Sequence, residues 1–110
     1  MEKEMLEIID SYNEYITRIP NGCGKIVSLF NEEQVSEALS VIVDFSEGLS
    51  WLIKVKKVLE QNGVLVKWNE MDIVDFLQEI NSGLEVQDYV LVSDLIEYEI
   101  IPFFENVDAI

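Results

Sequence analysis

Hydrophobic positions recur at steps of three and four along nearly the whole chain, the spacing of a helix buried on one face. Met5, Ile9, Tyr12, Ile16 and Ile19 define the first stripe and predict a helix over 2–18. Pro20-Asn21-Gly22 then reads as a break. Beyond it, 24–30 forms either a short second helix or a continuation past a kink at Pro20. Asn31-Glu32-Glu33-Gln34 has the form of a capping box, and a long helix over 32–62 follows. Its seam is Val35, Ala38, Ile42, Phe45, Leu49, Leu52 and Leu59, interrupted by Lys56, and Gly63 supplies the stop.

The second half of that helix carries another apolar face, Trp51, Val55 and Val58, which needs a cover. The nearest is the connector Val64-Leu65-Val66 with Trp68, read as an extended apolar loop because a lone strand would have no partner. Asn69 is a cap for the next helix, with Glu70 and Asp72 in its first turn, where the helix dipole favours acids. Ile73, Phe76, Leu77, Ile80 and Leu84 make its inner face. A last helix runs over 87–106 with Asp88 as cap, and Pro102 should bend it. Amphipathic helices joined by short loops pack as antiparallel bundles. The expected fold is therefore all-α, one domain over 1–110, with four main helices plus one short helix.

Charge narrows the functional classes. The formal charge of −15 divides into −4 before Trp68 and −11 from Trp68 onward, where no Lys, Arg or His occurs. Phosphate contacts need clustered Lys and Arg, so nucleic acid is an improbable partner, and so is an anionic membrane. No apolar run reaches the ~20 residues of a membrane span, and Met1-Glu2-Lys3-Glu4 has no signal-peptide character. One cysteine, Cys23, allows no internal disulfide and fits a reducing, cytoplasmic setting.

Candidate chemistry is thin. Gly22-Cys23-Gly24-Lys25 lacks both the upstream Gly and the following Ser or Thr of a phosphate loop. Without histidine, Cys23 has no imidazole base, and the Ser-His type of nucleophile is ruled out as well. Asp72, Asp75 and Glu79 share one helix face and could hold calcium or magnesium, although a solvated acidic face explains them better. The chain is expected to be non-enzymatic, without cofactor or metal.

Two charges stand out on apolar arcs. At ~100° per residue Glu99 falls among Leu91, Val92, Leu95, Ile96, Tyr98, Pro102 and Phe103, and Lys56 intrudes on the seam of the long helix. They are candidates for a buried pair. The alternatives for Glu99 are a bond to a tyrosine hydroxyl or a local rotation that takes it to water. On the other side of the last helix, Asp94, Glu97, Ile101 and Phe104 form a stripe, which makes 100–104 apolar nearly all round. Such a helix end must be covered, by residues 106–110, by the Val64 connector, by a second subunit or by another protein.

The run from Gln87 to Pro102, with Asp94-Leu95-Ile96-Glu97-Tyr98-Glu99-Ile100-Ile101-Pro102 at its centre, resembles a group of small uncharacterised bacterial helical-bundle proteins. In these a helix of the type Asp-Leu-Leu-Glu-Tyr-Glu-Leu-x-Pro closes the chain. Glu47-Gly48-Leu49-Ser50-Trp51-Leu52 is a weaker second match. The resemblance implies a helical bundle and brings no activity. In size and helix content the chain is also similar to small bacterial export chaperones. The expected function is a cytoplasmic adaptor or chaperone-like protein that binds another protein. Ile101 and Phe104 would be anchors, Asp94 and Glu97 the rim, and a basic amphipathic helix the partner; a homodimer is a further expectation. The alternative is an acidic inhibitor or antitoxin whose carboxylates imitate a polyanion and block a basic protein.

Overall fold

A computed structural model describes residues 2–110 and is all-helical apart from its connectors and C-terminal end, with no strand among the described residues. Helix α1 spans Lys3–Asn31, α2 Val35–Gln61 and α3 Glu70–Glu85. The C-terminal rod is continuous but built of three pieces: α4 (Tyr89–Leu95), a π turn (Ile96–Ile100) and α5 (Ile101–Glu105). The four rods pack into a bundle measuring 47 × 21 × 21 Å.

Neighbouring rods run antiparallel. Tyr15 of α1 meets Trp51 of α2 edge-on at 5.6 Å. At opposite ends of the α1 and C-terminal pair, Phe30 stacks on Tyr89 at 5.7 Å, and Phe104 lies beside Ile16 and Pro20. Between α3 and the same rod, Phe76 pairs with Phe103 at one end and Gly83 meets Val92 at the other.

Helix α1 does not break at Pro20. A proline in a helix interior costs about 3 kcal/mol, mainly through one missing hydrogen bond. Against that, Cys23, Ile26, Val27 and Leu29 continue the buried strip of Ile16 and Ile19 at the same three-and-four steps. At roughly 1.5–3 kcal/mol for each large apolar side chain buried, keeping that strip in line outweighs the proline. Residues 24–30, read as a short second helix or a continuation past a kink, are therefore the last quarter of α1.

The capping box expected at Asn31 is not formed either, because Asn31 ends α1 and Gln34 stands at the N-cap of α2 without a side-chain bond. Three helices instead end in the same way. Glu33 (φ 61°), Gly63 (φ 80°) and Gln87 (φ 55°) adopt the left-handed conformation. The next residue donates back across the turn, Gln34 to Leu29, Val64 to Leu59 and Asp88 to Gly83. These are Schellman closures, which satisfy the last carbonyls of each helix. The expected caps of α3 and α4 are present: Asn69 Oδ1 accepts from Met71 N–H at 2.8 Å and Asp88 Oδ1 from Leu91 N–H at 3.1 Å.

The connector 62–69 lies as an apolar strap with Val66 and Trp68 buried. Trp68 Nε1 donates to the Tyr12 hydroxyl at 2.7 Å inside the core. Lys56 holds the strap from outside. Its Nζ donates to the Val66 carbonyl at 3.2 Å, pairs with Glu60 at 3.0 Å and sits 5.4 Å from the Trp68 ring centre. No helix among the described residues is long and apolar enough to cross a membrane.

Candidate functional site

The π turn decides which residues of the C-terminal rod face out. Ile101 N–H donates to the Ile96 carbonyl, five residues back, rather than to residue 97. Pro102 is the physical reason. In a regular helix its ring would press on the Tyr98 carbonyl, and it has no N–H to offer that oxygen. One wider turn relieves the clash. Val92, Ile96, Ile100 and Phe104 then follow one another inward at steps of four, all buried.

The residues around the turn rotate accordingly. Glu99, placed among apolar neighbours by a uniform 100° step, is exposed. Lys56 is far from it, engaged with the connector, so the expected buried pair does not exist. Phe104, expected as an outward anchor, is 2% exposed and belongs to the core, and Ile101 is half-buried. Phe104 is covered by α1 with Val107 and Ala109, which lie beside it, Ile16 and Pro20. Asp94 and Glu97 are exposed, as expected.

The same rotation presents another surface. Gln78, Glu79 and Ser82 of α3 and Leu91, Asp94, Tyr98 and Glu99 of the C-terminal rod enclose a groove of about 710 Å³. Gly83 brings the rods close at one end, since a Cβ there would stand 2.6 Å from Val92 Cγ2. The edge-on pair of Phe76 and Phe103, 5.2 Å between centres, holds them apart at the other. Between these points the outer seam opens. Tyr98 is 69% and Leu91 53% exposed, and Val86 and Val90 are exposed elsewhere on this half of the chain. Glu79, Asp94 and Glu99 rim it, and no cation occurs from Trp68 onward to neutralise them. An apolar floor with acidic walls can hold apolar side chains that carry Lys or Arg beside them.

The metal and thiol chemistry considered from the sequence can be placed in the structure. No group of three or more His, Cys, Asp or Glu side chains converges on a metal-sized point among the described residues. Asp72, Asp75 and Glu79 are all exposed on α3. Cys23 is fully buried, and burial pushes its thiol up to about 12. It is a small core side chain rather than an accessible nucleophile.

The sequence reading placed Leu91, Tyr98 and Glu99 together on one arc but turned that arc to the core, and it placed Asp94 on the opposite face with Ile101 and Phe104; the structure brings all four of Leu91, Asp94, Tyr98 and Glu99 to one exposed groove.

A family model described as Domain of unknown function (DUF8042) matches residues 7–109. No curated protein and no solved structure matches the chain.

Proposed function

The chain belongs to the DUF8042 family, and we propose that it is a non-enzymatic docking module whose groove between α3 and the C-terminal rod receives a basic amphipathic segment of another protein. The observation that carries this reading is the combination in one groove of exposed Leu91 and Tyr98 with Glu79, Asp94 and Glu99, in a stretch devoid of cations. Apolar side chains supply affinity in such a groove, while the acidic rim speeds encounter and selects against anionic partners. At −15 the chain repels its own copies, which favours a cationic partner over a homodimer. An adaptor or chaperone-like role in the cytoplasm is consistent with that chemistry.

Titration with a labelled helical peptide that carries Leu at i and i+4 flanked by Lys tests the reading. Saturable binding is expected, weakened at least ten-fold by Leu91→Asp and by Tyr98→Ser, two exposed positions whose change spares the core. Affinity capture from native cytosol with the same variants should lose the same proteins. Unchanged binding in both variants removes the groove. Salt separates the other reading, a polyanion mimic. An apolar anchor survives a rise from low to ~0.5 M salt, whereas a purely charged contact is screened away.

A further inference from the structure

A second cavity, of about 460 Å³, lies at another place in the bundle, between α1, the connector and α5. We infer that it is a binding site for a small uncharged molecule with an apolar body and one carbonyl acceptor.

The walls are Leu65 and Trp68 of the connector and Phe103 and Val107 of the C-terminal segment, with Tyr12 of α1 among the lining residues. Its size falls in the range of small-molecule sites, about 300–1,000 Å³, and such sites combine apolar walls with a few fixed polar groups. Here the polar group is the Tyr12 hydroxyl, on a side chain only 1% exposed. Its oxygen already accepts from Trp68 Nε1 at 2.7 Å. No acceptor among the described residues takes the hydroxyl's own hydrogen. A hydroxyl is a donor as well as an acceptor, so beyond the bond it receives from Trp68 it has one hydrogen left to give. Burial raises the Tyr12 pKa by more than the bond from Trp68 lowers it, so the donor stays protonated. A ligand carbonyl beside Tyr12 supplies the missing acceptor.

Charge disfavours an anion, and an ammonium has no acceptor to offer the Tyr12 hydroxyl, so together they select a neutral ligand. Lys67 and Asp108 both stand in the wall and offset each other. The net −15 of the chain then opposes any anion. The cavity also has a flap of defined attachment. Asn106 Nδ2 donates to the Pro102 carbonyl at 2.8 Å, within its own rod, and Ile110 N–H donates to Asn13 Oδ1 at 2.9 Å, which ties the end of the flap to α1.

The test is a titration of the full chain with N-hexylacetamide, hexanoate and toluene, followed by amide chemical shifts and by Trp68 emission in a Trp51→Phe background. The amide should saturate with a dissociation constant on the order of 1 mM, as expected for about ten non-hydrogen atoms. Hexanoate should bind at least five-fold more weakly. Tyr12→Phe should weaken the amide about ten-fold and leave toluene unchanged, and Val107→Trp should abolish both by filling the space. The inference is overturned if the amide shows no saturation at about ten times that concentration, if hexanoate binds as well as the amide, or if Val107→Trp binds like the parent. Should Tyr12→Phe fail to fold, the comparison of the three probes and Val107→Trp still decide. The groove of α3 is not involved, so Leu91→Asp should leave amide binding intact.

Discussion

Replacing Gly48 with alanine should destabilise the bundle, although alanine is the better helix former. Gly48 sits in the middle of α2 where the Tyr15 side chain of α1 crosses it, and a Cβ there would coincide with the tyrosine hydroxyl and its ring carbon. Tyr15 is half-buried, so it can swing away, but it then leaves Trp51. The edge-on ring pair is worth about 0.5–1.5 kcal/mol. Giving up a third of the ~150–250 Å² that an aromatic side chain buries adds roughly 1.3–2 kcal/mol at ~25 cal/mol per Å². Against this loss of roughly 2–3 kcal/mol, Gly→Ala in a helix gains about 1 kcal/mol. The net is about 1–2 kcal/mol, a fall in Tm on the order of 5–10 °C. Thermal and urea denaturation of Gly48→Ala, Tyr15→Ala and the double variant measure it. In the Tyr15→Ala background the sign should invert, with Gly48→Ala now stabilising by about 1 kcal/mol. A rise in Tm for the single variant, or a coupling within about 0.5 kcal/mol of zero, would refute the steric reasoning.

The Schellman closures make an opposite prediction. Glu33→Gly and Gln87→Gly should each stabilise by about 0.5–1 kcal/mol, because glycine adopts positive φ without strain, whereas Gly63→Ala should cost about 1 kcal/mol; urea midpoints read all three. Stability should decline above about pH 9. The Cys23 thiol titrates near 9.0 when unfolded and only at about 12 when folded, so rising pH favours the unfolded chain across that window. Burial raises the Tyr12 and Tyr15 hydroxyls in the same direction. Cys23→Ala should flatten part of this alkaline slope in midpoints measured from pH 8 to 10.5. Lys56→Met and Glu99→Gln should show additive effects in a double-mutant cycle, within about 0.5 kcal/mol, since Lys56 binds the connector and Glu99 faces water.

Much of the fold was legible because burial writes itself into spacing. The stripe Met5, Tyr12, Ile16 and Ile19, the seam from Ala38 to Leu59, and the caps Asn69 and Asp88 all lie where periodicity and cap chemistry put them. The errors came from local punctuation. Pro20-Asn21-Gly22 looks like a turn to any rule that reads three residues at a time. The strip through Cys23, Ile26 and Val27 belongs to a longer pattern, and the longer pattern won. Asn31-Glu32-Glu33-Gln34 likewise resembles a helix start, yet its backbone is occupied with ending α1. Glu33 gave no sign of its left-handed conformation, since glycine is the usual resident there.

The candidate site was less legible, for a reason that is itself physical. A helical projection assumes a constant angle per residue, and here the angle changes within the element. Four-residue steps from Val92 through Ile96 and Ile100 to Phe104 drift around a regular helix by about 40° at each step, because four residues exceed one turn of 3.6. A wider turn absorbs that drift and keeps all four inward. Two independent facts of the sequence, the four-residue spacing and Pro102, therefore ask for the same distortion. Read together they place Glu99 in water and Ile100 in the core, the reverse of the uniform projection. The distortion has a consequence for binding. Residues 98 and 99 are turned toward the seam with α3, so Tyr98 and Glu99 meet Glu79 across an open groove. At a uniform step Glu99 would turn toward the core, and the groove would lose one of the three carboxylates that rim it.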